Sequence, residues 1–122
     1  MRSFLSYWLP LLVYASVIYY LSSIPHLPRF LTFYSIDKLS HVGEYAILGI
    51  LVIHLLKKYY PDLGYKRLKI FTVLLSTLYG VCDEFHQYFV PFRDANLFDL
   101  FADGIGSLLG AFIYIHLTDK GK

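Results

Sequence analysis

The sequence predicts an all-α polytopic membrane protein, with four transmembrane helices in one bundle. Three observations carry that expectation. The chain has only 122 residues, yet 57% are hydrophobic and 16% charged. A water-soluble domain this small leaves a large share of its surface exposed and cannot bury so much apolar area, whereas lipid can solvate it. The apolar residues also gather into four runs, at about 4–21, 38–56, 68–89 and 97–117. An α-helix rises about 1.5 Å per residue, so roughly 20 residues cross a hydrocarbon core of ~30 Å. Finally, the runs do not alternate polar with apolar residues, as the strands of a membrane barrel do. Residues 1–122 read as a single domain.

The first run follows Arg2 and closes at Ser22, Ser23 and Pro25. It is rich in bulky Tyr and Leu, and no small-x-small cleavage pattern follows, so it reads as a retained helix rather than a signal peptide. The second run begins at Lys38 and ends before Lys57 and Lys58. The third carries the lone Cys82, expected as a small buried helix residue. A single cysteine excludes an intrachain disulfide and a cysteine-rich zinc site. The fourth contains Gly104, Gly106 and Gly110. The last two form a small-xxx-small step suited to close helix packing. Its partner is open between helix two, helix three and another subunit, the last giving a homo-oligomer.

A net charge of +2 is too small to point to nucleic acid. The basic residues are better read as topology signals. Eight of the eleven, namely Arg2, Lys57, Lys58, Lys66, Arg67, Lys69, Lys120 and Lys122, fall on one side, and Arg29, Lys38 and Arg93 on the other. Short loops rich in Lys and Arg stay in the cytoplasm, so both termini are expected there. Tyr59, Tyr60 and Tyr65 on the basic side, and Phe33, Tyr34, Phe89 and Phe92 opposite, fit two interfacial aromatic belts. His54 and His116 lie toward the basic side, where interfacial or helix-bonding roles are expected.

Seven of the nine acidic residues fall at the other face: Asp37, Glu44, Asp83, Glu84, Asp94, Asp99 and Asp103. Ionisable groups in membrane segments usually face the bundle interior, pair with one another and mark a functional site. Asp37, His41 and Glu44, spaced by four and three, form one stripe on helix two, and Tyr45 extends it. On helix three Asp83 and Gln87 share a stripe, with Glu84 beside them and His86 further round. On helix four Asp99 and Asp103 lie one turn apart, in line with Gly106 and Gly110. Three stripes thus meet at one depth. Arg93, in the connection between two of them, has a planar fork suited to a carboxylate or phosphate. Binding a ligand there and pairing with Asp94, Asp99 or Glu84 to close the loop are both open to it. Lys38 stands at the mouth of the same face.

The run Asp37-Lys38-Leu39-Ser40-His41-Val42-Gly43-Glu44-Tyr45 resembles the D-K-x-x-H-x-x-x-Y segment of the VanZ-like bacterial integral membrane proteins. Asp83-Glu84-Phe85-His86-Gln87, then Pro91-Phe92-Arg93, then Asp99, Asp103, Gly106 and Gly110 are similar to that family's D-E-x-x-Q…R…D…D…G pattern. Ser22-Ser23-Ile24-Pro25 resembles the Ser-Ser-x-Pro element that often ends its first helix. The resemblance implies a multi-pass protein of the bacterial cytoplasmic membrane. It also brings an association with low-level resistance to the glycopeptide teicoplanin. The positions it carries over are Asp37, Lys38, His41, Tyr45, Asp83, Glu84, Gln87, Arg93, Asp99 and Asp103. Glu44 joins them from helical spacing alone.

Three functions are open to such a cluster. Ligand recognition would have Arg93 and Lys38 hold a phosphate while the carboxylates and Gln87 bond the rest of a headgroup, a lipid-linked cell-envelope precursor being one candidate. An enzyme would use His41, Asp83 and Glu84 as acid and base. A hard divalent metal held by Asp83, Glu84, Asp99 and Asp103, with His41, would be another route to catalysis. No nucleophile motif, phosphate loop or zinc signature is readable, and the sequence leaves any cofactor open. A purely structural network would bond the helices together. The orientation is directly testable: in a Cys82→Ser background, Arg93→Cys is expected to react with a membrane-impermeant maleimide in intact cells. Labelling only after permeabilisation would put the acidic face in the cytoplasm.

Overall fold

On the third segment Thr72, Ser76, Gly80, Asp83, Glu84 and Gln87 recur at steps of three and four, which puts them on one helix face. In the computed structural model that face is the buried one. The described residues are 2–23, 34–90 and 97–119, the side chains of Ser22 and of residues 34–38 excepted. The opposite face carries Ile70, Phe71, Leu74, Leu78, Val81 and Phe85, all exposed. The fourth segment repeats the pattern. Asp99, Ala102, Asp103, Gly106, Ser107, Gly110 and Ala111 are buried, while Phe98, Phe101, Ile105, Leu109 and Phe112 look outward. Polar groups inside and hydrocarbon outside invert the arrangement of a water-soluble helix and suit a lipid solvent.

A π-helical turn, Phe4–Trp8, leads into α1, Leu9–Ser23, and is followed by α2, Tyr34–Tyr59, α3, Tyr65–Tyr88, and α4, Leu97–Asp119. Pro10 accounts for the π turn. It has no N–H to give the Ser6 carbonyl and its ring crowds that oxygen, and the preceding turn widens so that the Leu9 N–H reaches back to Phe4. α2 and α3 each begin before the apolar run, because backbone hydrogen bonding continues past the residues that lipid requires to be apolar. Between them the Leu63 N–H bonds the Tyr60 carbonyl at 3.1 Å, with Pro61 presetting the second position of the turn. Gly64 then caps α3.

Three spans are long and apolar enough to cross a membrane: Phe4–Leu21, Leu39–Tyr59 and Leu97–Asp119. α3 is one more helix, and its 24 residues rise roughly 36 Å. Its buried polar stripe, together with Lys66, Arg67 and Lys69 in its first turns, makes it less apolar than the others.

Contacts fix the directions. Asp103 meets His41 and Tyr114 meets His54, so α2 and α4 run parallel. Tyr79 on α3 bonds Ala15, and His86 bonds Ser23, so α1 and α3 run parallel to each other. Trp8 meets Tyr59 while Tyr14 meets Glu44, which sets α1 antiparallel to α2. The bundle therefore alternates in direction along the chain. Ile18, Tyr45, Leu48 and Val52 form one apolar cluster, and Ile53, Leu68 and Ala111 form a second toward the basic end.

The closest approach is between α2 and α4. A Cβ on Gly106 would strike the Val42 carbonyl, one on Gly110 the Ala46 carbonyl, and one on Gly49 would lie 2.8 Å from the Ser107 Cα. The small-residue step is thus filled by helix two of the same chain. Gly106 and Gly110 are buried there. The expectation for Cys82 is corrected: it is exposed. It sits one position from the buried Asp83, rotated onto the outward face beside Val81 and Leu78. Of the aromatic belts, Tyr59, Tyr60 and Phe89 are exposed. Phe33, Phe92 and the side chain of Tyr34 lie outside the described residues. Gly110→Ala is expected to cost about 1–3 kcal/mol in a detergent unfolding experiment. At Gly43 an added Cβ would meet nothing within 4 Å, so Ala is expected there with a change between zero and about 1 kcal/mol of stabilisation.

Candidate functional site

His41, eighth residue of α2, points at α4 and is buried. Its Nδ1 lies 2.9 Å from Asp103 Oδ1, and its Nε2 lies 3.7 Å from Asp99 Oδ2. The first is a hydrogen bond; the second is a longer electrostatic contact. The two carboxylates are one turn apart on α4, so they embrace the ring, and a proton on either nitrogen faces an acceptor. Both are buried.

Asp103 depends on α3 for its space. A Cβ at Gly80 would sit 2.7 Å from Asp103 Oδ2 and 3.4 Å from its Cβ and Cγ. Glycine at position 80 therefore lets a full carboxylate lie between the two helices. Asp83, Glu84 and Gln87 continue the buried face of α3 toward the same end. Tyr45 is completely buried, and its hydroxyl is within electrostatic range of Asp103, Asp83 and Glu44. In this layer the Tyr45 hydroxyl and Asp103 Oδ2 are buried with no hydrogen-bond partner among the described residues, as are the hydroxyls of Thr72, Ser76 and Thr77 further along α3. An unmet polar atom at this depth costs several kcal/mol, so each is a place for water or a ligand group.

The structure brings together His41, Tyr45, Asp83, Glu84, Gln87, Asp99 and Asp103 on the inner faces of three helices. Glu44 is half-buried at their edge, and its backbone carbonyl accepts the Tyr14 hydroxyl at 2.8 Å. Arg93 and Asp94 lie outside the described residues, as do the side chains of Asp37 and Lys38, whose backbones belong to α2. Among the described residues no three His, Cys, Asp or Glu side chains form a group that could hold a metal ion.

Sequence reasoning missed the part played by α1. The Tyr79 hydroxyl donates to the Ala15 carbonyl, and the Tyr79 ring stands 6.5 Å from that of Tyr45. Tyr14 and Tyr79 thus lock α1 over the acidic layer. Tyr79 lies four residues before Asp83, and that spacing was a signal available in the sequence. Extending the α3 stripe backward would likewise have found Gly80, Ser76 and Thr72. His86 belongs to the α1 contact rather than to the carboxylates. Its ring stacks on Tyr19 at 4.3 Å, and its Nε2 is 2.8 Å from Ser23 Oγ. The Ser23 hydroxyl gives its one proton to the Tyr19 carbonyl, so Nε2 of His86 is the donor.

His54, thirteen residues along α2 from His41 and so roughly 20 Å away, belongs to a second polar layer. Its Nδ1 is 3.0 Å from the Tyr114 hydroxyl, and its ring stacks on Tyr7 at 4.5 Å. The helix-bonding role expected of it is the role it has.

A family model described as VanZ/LLP1 matches residues 3–118, nearly the whole chain. The chain belongs to the VanZ/LLP1 family. No match was found among curated proteins or among solved structures. Of the positions carried over from the VanZ-like pattern, His41, Tyr45, Asp83, Glu84, Gln87, Asp99 and Asp103 are buried where α2, α3 and α4 converge.

His41→Ala would leave Asp103 buried without its partner, and a loss of about 3–5 kcal/mol is expected. In a double-mutant cycle with Asp103→Asn, unfolding should return a coupling of about 0.5–3 kcal/mol. Strict additivity would mean that the 2.9 Å contact contributes nothing to stability.

Proposed function

We propose that this VanZ-family protein spans the bacterial cytoplasmic membrane four times, with both termini in the cytoplasm. Its acidic layer is the interior of a polar pocket that opens to the extracytoplasmic face. There it recognises the polar headgroup of a lipid or lipid-linked cell-envelope precursor. The basic residues of the α2–α3 connection support this orientation, since they mark the cytoplasmic side.

One observation carries the reading. The helices converge on buried carboxylates with His41 between two of them, and the Tyr45 hydroxyl and Asp103 Oδ2 are buried without a hydrogen-bond partner among the described residues. A network that served only to fasten helices would use such groups on each other, because a half-satisfied one is worse than an apolar contact. A bound headgroup supplies what the network lacks. Its hydroxyl, amide or ammonium protons go to carboxylate oxygens, and its own oxygens accept from the Tyr45 hydroxyl. The phosphate falls to Arg93 and Lys38, because a carboxylate-rich interior repels it. An effect on teicoplanin susceptibility would follow from sequestering or presenting an envelope precursor.

A second reading is favoured by the His41 geometry. An imidazole with a carboxylate at each nitrogen can pass a proton between a substrate and Asp99 or Asp103, as an acid–base enzyme requires. Both readings predict loss of function without loss of fold. Native mass spectrometry of gently purified protein is expected to show a phospholipid or polyprenyl species that is lost from Glu84→Gln at an unchanged melting temperature. A variant that mainly melts earlier, with bare protein in both samples, would instead make the layer a structural one.

A further inference from the structure

The outward surface between α3 and α4 holds a groove of about 350 Å³ at the basic end of the bundle. Its mouth carries Lys66 and Lys69, and its walls are Ile70, Leu74, Leu108 and Phe112. Lys66 is exposed in the first turn of α3. Lys69 Nζ sits 4.3 Å above the Phe112 ring, which holds the ammonium at the groove without neutralising it. Among the described residues no carboxylate pairs with either lysine. From Lys66 to Leu74 the groove descends α3 by eight residues, roughly 12 Å toward the middle of the bilayer.

The geometry points to a binding site for one anionic glycerophospholipid. Its phosphate lies between Lys66 and Lys69, and one acyl chain runs along Ile70, Leu74 and Leu108. Charge complementarity selects this occupant. Two cations stand where the headgroup layer begins, above a purely apolar channel, and basic pockets at that level attract acidic lipid headgroups. A neighbouring groove makes the contrast. It is larger, about 500 Å³, and is lined by Leu56, Tyr60, Leu63, Phe71 and Leu74 with no cation among its lining residues. It offers hydrocarbon contact but nothing to distinguish one headgroup from another. The site stands on the membrane placement proposed above and is independent of the acidic pocket at the other face.

The test is lipid titration of the purified full chain in neutral detergent, read by native mass spectrometry. Phosphatidylglycerol and phosphatidylcholine with identical acyl chains serve as the probes. Wild type is expected to take up one phosphatidylglycerol in preference to phosphatidylcholine. Lys66→Gln/Lys69→Gln is expected to lose that affinity by roughly thirtyfold while its phosphatidylcholine binding is unchanged. Lys57→Gln/Lys58→Gln, which removes two charges from the same end, is expected to keep it, as is Glu84→Gln. Equal binding of the two lipids to wild type overturns the proposal. So does full retention by the Lys66/Lys69 variant, or an equal loss in the Lys57/Lys58 variant. A lipid lost from Glu84→Gln but kept by Lys66→Gln/Lys69→Gln belongs to the acidic pocket instead.

Discussion

Where Gly106 and Gly110 pass the carbonyls of Val42 and Ala46, α2 and α4 touch backbone to backbone, and Gly49 returns the contact against Ser107. Lipid tails are as apolar as leucine, so no hydrophobic force draws two helices together inside a bilayer. Association depends on close packing and on hydrogen bonds between helices. Both operate along this seam. The glycines bring the axes near enough for His41 to reach Asp103 and Asp99 with one side chain. Those contacts in turn set the rotation of α4 about its axis. A bulky residue at any of the three glycines would separate the pair and pull the carboxylates from the imidazole.

The rest of the bundle is arranged around that seam. α3 closes it from one side and gives up a side chain at Gly80 so that Asp103 fits. α1 lies outside, with Ile18 its one fully buried large side chain among the described residues, and the hydroxyls of Tyr14 and Tyr79 bond it across helices, beside the Ser23 and Tyr19 contacts to His86. Each such bond in a membrane contributes about 0.6–2 kcal/mol. Tyr14 and Tyr79 thus tie α1 to the helices that carry the acidic layer.

Two histidine-centred levels of the bundle differ in character, with the buried hydroxyls of Thr72, Ser76 and Ser107 also inside it. One holds carboxylates around a single histidine. The other, roughly 20 Å along α2, pairs His54 with aromatic rings and is flanked by lysines lying over Tyr65, Tyr7 and Phe112. The first level holds two buried oxygens, the Tyr45 hydroxyl and Asp103 Oδ2, with no hydrogen-bond partner among the described residues. The second bonds His54 to the Tyr114 hydroxyl and leaves Lys66 exposed.

Composition and run length alone determined that this chain is an α-helical membrane protein, because lipid demands apolar outer faces and internally satisfied backbones whatever the topology. Helical spacing alone also grouped His41 with Tyr45, Asp83 with Gln87, and Asp99 with Asp103, since a period of 3.6 residues does not depend on neighbours. It could not say which stripe faces which. That Gly106 and Gly110 meet helix two, that Gly80 makes room for Asp103, and that His86 turns to Ser23 instead of the carboxylates are properties of helix rotation and approach. Cys82 shows the limit most simply. One residue before a buried aspartate lies about 100° around the helix from it, and only the packing of neighbouring helices decides whether that direction leads into the protein or out to lipid.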